Sequence, residues 1–250
     1  MPARDWDGAA YDRISGPQEA LGRAVLARMS LRGDETVLDA GCGSGRVTEA
    51  LLERLPQGRV IAIDASPSMV GQARRRLGDR VEVHQMDLLE LELEQPVDAI
   101  LSTATFHWVL DHDALFRRLH DALRPGGQLI AQCGGEGNID QLRGVAKNVM
   151  AREPYAQHFR DWRTPWYYAA PEPTSERLLA AGFTAAESWL QPAPQYPEQP
   201  REFLAKVILG PHVQQLPEDL RDPFLDAVLE RVGETAMMVD YVRLNIDATA

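Results

Sequence analysis

Between Thr36 and Leu55 a strand-like run, a glycine cluster and a helical pattern follow one another without a spacer. Thr36-Val-Leu-Asp-Ala40 reads as a short buried strand, Gly41 to Gly45 as a loop, and Val47, Ala50, Leu51 and Leu55 return at helical spacing. Glycines placed between a strand and a helix permit tight backbone geometry and let a ligand approach the N–H groups of the helix's first turn. The unit then repeats. Val60 to Asp64 is an apolar strand, and Pro67 opens a helix carrying Met69, Val70, Ala73 and Leu77 on one face. Val81 to Met86, Val97 to Ser102 and Gln128 to Cys133 continue the strand series, with a helix marked by Leu115, Leu119 and Leu123 before the Pro125-Gly-Gly127 turn. A helix over Pro17 to Leu31 precedes the series. Strands alternating with helices predict a doubly wound α/β sheet with parallel strands.

After Gly135 the rhythm changes. Residues 138–170 read as helical and end in the aromatic cluster Trp162, Trp166, Tyr167 and Tyr168. A helix over Ser175 to Ala181 stops at Gly182, Phe183 to Leu190 reads as a strand, and Pro192, Pro194, Pro197 and Pro200 form a stiff connector. Residues 201–232 read as two helices, and Met237 to Ile246 alternates as a final strand. We therefore expect one domain over residues 1–250: a cofactor-binding core over 1–136, helical cap segments over 137–170 and 198–232, and the rest of the sheet from 171–197 and 233–250.

The net charge of -11 disfavours a nucleic-acid partner, whose phosphates ask for a basic groove. Cys42 and Cys133 lack the number and spacing of a disulfide framework or a zinc site, so both read as structural, and no metal is expected. No apolar run approaches membrane-spanning length and Met1 to Gly8 has no signal core, so the expected location is the cytoplasm, without a membrane partner.

The glycine loop alone is ambiguous. A dinucleotide loop wants a small residue where Arg46 stands, and a Walker loop wants Lys followed by Ser or Thr where Arg46-Val47 stands, so NAD and ATP are both disfavoured. Asp64 ends the next strand, where a carboxylate accepts ribose hydroxyl hydrogens, and Asp87 follows the one after, flanked by Met86 and Leu88 for stacking on adenine. Successive strand ends thus converge on one nucleoside.

Val37-Leu-Asp-Ala-Gly-Cys-Gly-Ser-Gly45, Ile63-Asp64, Met86-Asp87-Leu88 and Leu123-Arg-Pro-Gly-Gly-Gln128 resemble the successive motifs of class I S-adenosylmethionine (SAM)-dependent methyltransferases. The resemblance implies a seven-stranded Rossmann-like sheet whose last strand runs antiparallel beside Phe183 to Leu190. It implies SAM as cofactor, with S-adenosylhomocysteine as product, Asp39 and the Gly41, Gly43 and Gly45 backbone near the methionine part, Asp64 at the ribose, and Met86, Asp87 and Leu88 at adenine. Ala65, Met69 and Ser102 complete that shell, and Tyr11 and Gln18 close over it from the N-terminal segment.

Trp6 with Tyr11, Ser102 to His112, and Asp240-Tyr-Val-Arg-Leu-Asn245 are similar to the trans-aconitate and juvenile-hormone-acid methyltransferase group, which implies carboxylate O-methylation of a small molecule by a monomer or homodimer. Candidate acceptor-site residues are His107, Trp108, Trp162, Trp166 and Tyr167, with Arg143 and Arg201 as carboxylate partners. For a phenol or amine acceptor, His107 is the candidate base; packed beside Trp108, it equally reads as a structural ring. Arg143 and Arg201 also read as solvated helix-face charges. The competing functions are N-, C- or phenol O-methylation of a small molecule, a methyltransferase acting on protein or RNA, and a SAM-binding sensor without turnover.

Overall fold

The computed structural model describes residues 16–233 and 238–250. The strands are β1 (Thr36–Ala40), β2 (Arg59–Asp64), β3 (Glu82–Gln85), β4 (Val97–Thr103), β5 (Leu123–Gly134), β6 (Ala185–Pro192) and β7 (Val242–Thr249). They form one seven-stranded sheet of order β3-β2-β1-β4-β5-β7-β6, in which β7 runs antiparallel to both its neighbours and β1 to β5 are mutually parallel. The expected doubly wound sheet with its reversed penultimate member is what forms.

Helices cover both faces. α1 (Gly16–Leu26), α2 (Arg46–Glu53) and α3 (Pro67–Leu77) lie on one face, where Val25, Leu51, Val70, Ala73 and Leu77 pack with Val37, Val60, Ala62 and Leu101. α4 (His112–Asp121) and α7 (Pro171–Ala180) lie on the other, where Leu115, Phe116, Leu119 and Leu178 pack with Leu38, Ile63, Ile100 and Leu129. A sheet buried on both faces needs apolar residues in succession, which is why β1 and β2 read as apolar runs and do not alternate. The strand order reverses between β1 and β4, and the crevice at the carboxyl ends of the strands there is where this architecture receives ligands.

A third cluster joins α5 (Asp140–Met150), α6 (Ala156–Phe159), α8 (Pro200–Phe203) with the π-turn Leu204–Ile208, α9 (Gly210–Gln215) and α10 (Glu218–Val232). Leu142, Val149, Phe159, Leu204, Phe224 and Val228 are its buried centre. The uniform helical reading of 138–170 is corrected here: α5 ends at Met150, only the short α6 follows, and Trp162 to Tyr168 run irregularly outside any helix. The two helices expected over 201–232 are four pieces, because Pro211 starts α9 and Pro217 caps α10, and prolines belong in or before a first turn.

The final strand also shifts. Residues 238–241 lie outside the ladder, with an isolated bridge between Gln195 and Val239 and bonds from the Ala193 N–H to the Tyr241 carbonyl and the Ile139 N–H to the Asp240 carbonyl, and the ladder starts at Val242 and runs on to Thr249. The alternation along this strand reflects two different environments. Leu244 and Ile246 enter the apolar core, while Asn245 and Asp247 meet Arg28 from the residues after α1. Arg28 Nη1 donates to Asn245 Oδ1 at 2.5 Å and Nη2 to Asp247 Oδ1 at 2.7 Å and to the Ala131 carbonyl at 2.9 Å. Strand β7 is polar on one side because a buried network needs it.

Among the described residues no helix is long and apolar enough to cross a membrane.

Candidate active site

The switch-point crevice opens into a cavity of roughly 450 Å³, in the range of small-molecule sites. One end is built from the carboxyl ends of β1, β2 and β3. Gly41 follows β1 with φ of +87°, and a Cβ there would fall 2.2 Å from Thr105 Oγ1, so only glycine allows the β4 loop to approach. At Gly43 a Cβ would meet nothing within 4 Å, because this backbone faces the open cleft. Its N–H donates to Asp64 Oδ2 at 2.9 Å, and Ser66 N–H donates to Asp64 Oδ1 at 2.8 Å, so two backbone bonds fix the carboxylate at the cavity wall. Burial raises the proton affinity of Asp64 despite them. Asp87, held by Leu89 N–H at 2.9 Å, lines the same end with Ala65, Met69, Met86 and Leu88.

Asp39 lies beneath this end and does not line the cavity. Thr48 Oγ1 donates to its Oδ2 at 2.6 Å, while its buried Oδ1 has no partner among the described residues. Burial, with Asp64 nearby, pushes its carboxyl up to about 7. An orphaned acceptor on a buried acid below a glycine cradle suits the cationic methionine end of SAM, and the two wall carboxylates suit a nucleoside's hydroxyl and amino hydrogens.

Two of the expected cofactor residues serve packing instead. Gly45, with φ of +84°, precedes α2, and a Cβ there would sit 3.1 Å from Leu77 Cδ1. Ser102 is buried and donates to the Ala40 carbonyl at 2.6 Å, tying β4 to β1 away from the cavity. Tyr11 lies outside the described residues, as does the side chain of Gln18, whose backbone is in α1.

The other end of the cavity is aromatic and apolar. His107 and Trp108 on the turn after β4 face Trp166, Tyr168 and Tyr241, with Ile139, Val207 and Ile208 beside them. The His107 ring packs 4.9 Å from Trp108 and 5.8 Å from Tyr168, and its Nδ1 accepts the Gly134 N–H at 3.3 Å. Burial, then the charge of Arg243, then His112, hold the ring's proton affinity well below the ordinary imidazole range. The non-glycine residues with positive φ, Ala104 (57°) and Ile139 (53°), both line this cavity, and such backbone is tolerated where surroundings over-determine it.

Four expected acceptor-site residues lie elsewhere. Trp162 stands behind Trp166 at 5.8 Å and packs on Phe159 and His212. Tyr167 turns away toward His112, beside a separate shallow pocket, because its N–H is tied to the His107 carbonyl at 2.8 Å. Arg143 pairs with Asp140 at 2.8 Å and covers the outer face of Tyr168, and Arg201 pairs with Asp222 and Asp226 on the surface. Both arginines are helix-face charges with local partners.

Among the described residues the cation lining the cavity is Arg243, which stands in the Asp240-Tyr-Val-Arg-Leu-Asn245 segment but was given no acceptor role from the sequence. It is 6% exposed, lies 5.3 Å over the Tyr241 ring, and its Nε has no hydrogen-bond partner among the described residues. The available signal was an arginine between Val242 and Leu244 in a strand otherwise fit for the core, since arginine is rarely buried without an assigned partner.

Residues 37–127 match a methyltransferase domain family. The chain is 33% identical over 240 residues to a trans-aconitate 2-methyltransferase of Acidovorax sp. (strain JS42), covering 92% of this chain and 90% of that protein. The chain belongs to the class I SAM-dependent methyltransferases, in the group of the trans-aconitate enzymes. A similarly named enzyme of Escherichia coli O1:K1 / APEC is 29% identical, over 75% of this chain and 81% of its own. Among solved structures, the phosphoethanolamine N-methyltransferase 2 of Haemonchus contortus with S-adenosyl-L-methionine has TM-score 0.63 at 20% identity, covering 97% of this methyltransferase and 56% of that chain. The YcgJ protein of Bacillus subtilis has TM-score 0.62 at 16% identity, covering 92% and 97%. These two share the fold. SAM is therefore the methyl donor of this methyltransferase.

Proposed function

We propose that this methyltransferase esterifies a small carboxylic acid. The observation that carries the reading is Arg243, a buried cation with an unpartnered Nε, in an aromatic cavity continuous with the cofactor cleft. A buried guanidinium with no carboxylate partner among the described residues invites an anionic ligand, and its planar fork matches a carboxylate. The relatives named trans-aconitate 2-methyltransferase support an acid as acceptor.

In this reading Asp64, Met86, Asp87 and Leu88 hold the nucleoside and Asp39, Gly41 and Gly43 serve the methionine end. With a carboxylate as acceptor, SAM held there would supply the electrophilic methyl group and leave as its thioether product, and the acid would become a neutral ester. No proton has to be removed. The chain's task is alignment and dryness: Arg243 fixes the acid, Trp108, Trp166 and Tyr168 wall it, and Ile139, Val207 and Ile208 from the edge of the third cluster close it beside them.

The test is transfer from methyl-labelled SAM to a panel of small acids, phenols and amines, followed by mild base. Label released as methanol supports an ester product. Transfer only to base-stable products refutes the carboxylate acceptor, and binding of SAM without transfer to any compound points to a sensor.

A further inference from the structure

His107 and Arg243 meet at one backbone position. Gly134 closes β5 directly opposite Arg243 in the β5–β7 ladder, and side chains of cross-strand partners leave on the same face. Gly134 contributes nothing to that face except space: a Cβ there would fall 2.7 Å from Tyr168 Cε1 and 3.0 Å from Asn138 Nδ2. Its N–H donates to His107 Nδ1. Arg243, His107, Tyr168 and Asn138 therefore gather around a glycine, and all of them line the cavity.

The bond to Gly134 also settles what His107 offers. A neutral imidazole has one donor and one acceptor nitrogen, and the acceptor is occupied by a backbone N–H, so the proton resides on Nε2. Burial and the adjacent guanidinium keep the ring neutral. A ring in this state donates a hydrogen bond and has no lone pair free to take a proton.

The remaining wall selects the rest of the ligand. Trp108, Trp166, Val207 and Ile208 are apolar, and Asp64, Asp87 and Asp111 line the same cavity, whereas Arg243 is the one cationic side chain lining it among the described residues. We propose that Arg243 and the His107 Nε2–H clamp a single carboxylate, and that the acceptor is a monocarboxylic acid with an apolar aromatic or alkyl body. A tricarboxylate would press two further anions against indole and aliphatic walls and toward aspartates, which is costly without paired cations. An apolar body instead gains burial there. The inference rests on the carboxylate reading above and narrows it.

The test compares kcat and KM for phenylacetate, octanoate and trans-aconitate at pH 6 to 9, with base release of the label identifying esters and calorimetric SAM affinity checking that each variant retains its cofactor site. The expected result is a higher kcat/KM for phenylacetate or octanoate than for trans-aconitate. Arg243→Met raises KM for the favoured acid by ~100-fold, with Arg243→Lys in between. His107→Leu raises it by roughly 10- to 100-fold, the worth of a hydrogen bond to a charged group. His107→Gln, which keeps a donor near Nε2, recovers most of the loss, and kcat stays flat across the pH range because no base acts. A purely structural His107 would not be rescued by Gln in KM alone. The proposal is overturned if trans-aconitate is the better ester-forming substrate. It is equally overturned if Arg243→Met and His107→Leu bind SAM normally and leave KM unchanged, or if kcat rises with pH through a titration lost in His107→Gln. If no acid yields base-labile label, the carboxylate reading itself fails and the clamp falls with it.

Discussion

Replacing Asp39 by Asn should change how stability depends on pH in the ligand-free enzyme. Asp39 is 1% exposed, its Oδ1 is unpartnered, and burial pushes its carboxyl from 3.8 up to about 7. Because the folded value lies above the unfolded one, folding favours the protonated acid. Its contribution is full below about pH 4 and is lost progressively as pH rises to about 7. Between pH 5 and pH 8 about two units of that span are crossed, which at ~1.4 kcal/mol per unit is on the order of 3 kcal/mol. For a chain of this size a kcal/mol moves Tm by about 2–4 °C, so the wild-type Tm should fall by roughly 6–12 °C more than that of Asp39→Asn over this range. Groups remote from Asp39 are common to both proteins and cancel in the comparison, while removing the Asp39 charge also eases ionisation of neighbouring Asp64 in the variant. The assay is thermal unfolding by calorimetry at half-unit pH steps, repeated with saturating SAM, whose positive charge should restore the wild type at pH 8 more than the variant. Parallel Tm curves for the two proteins from pH 5 to pH 8 would refute the assignment of a buried, uncompensated acid.

Other substitutions separate cleft from scaffold. Gly43→Ala should cost about 1–2 kcal/mol of stability, read by denaturant unfolding, for a left-handed backbone with open space around it, yet raise KM for SAM, because the new methyl enters the cleft. Gly41→Ala, which meets Thr105 at 2.2 Å, should fold poorly, as soluble yield and Tm would report. Arg28→Met removes the donor that joins Asn245, Asp247 and the Ala131 carbonyl and should destabilise by roughly 2–4 kcal/mol in urea titration while leaving KM for SAM unchanged. Arg201→Met, which breaks only surface pairs with Asp222 and Asp226, should shift stability by less than ~1 kcal/mol and leave steady-state kinetics unaltered.

The glycine and aspartate end of the cavity was legible in the sequence because its determinants are local. Gly41, Gly43, Asp64 and Asp87 each stand at the end of a strand whose apolar run announces it, so spacing along the chain maps directly onto position around the crevice. Asp39 and Gly45 belong to the same stretch, but which of its residues face the cleft and which face α3 depends on the left-handed turn geometry, and that was beyond reach. The aromatic end of the cavity is lined by the loop after β4, Asn138 and Ile139, the irregular run to Tyr168, the π-turn and β7 with the Tyr241 before it, and no spacing rule joins those segments. Tyr167 and Tyr168 differ by one position, and a single backbone bond to His107 decides which of them enters the cavity. Arg143 and Arg201 attracted attention as arginines on cap helices, whereas Arg243 was hidden inside a strand pattern explained by other means.

The placement of β7 bears on how the enzyme comes into being. Strands β1 to β5 can zip together as they leave the ribosome, but β6 bonds only to β7 and waits, with one edge bare, until the strand that follows every other arrives between it and β5. A nascent chain thus emerges with the glycine and aspartate end of its cavity before Arg243 and the core residues Leu244, Ile246 and Ala248 exist. Synthesis halted before Val242 would leave β5 with an unpaired margin, open to the wrong partner strand.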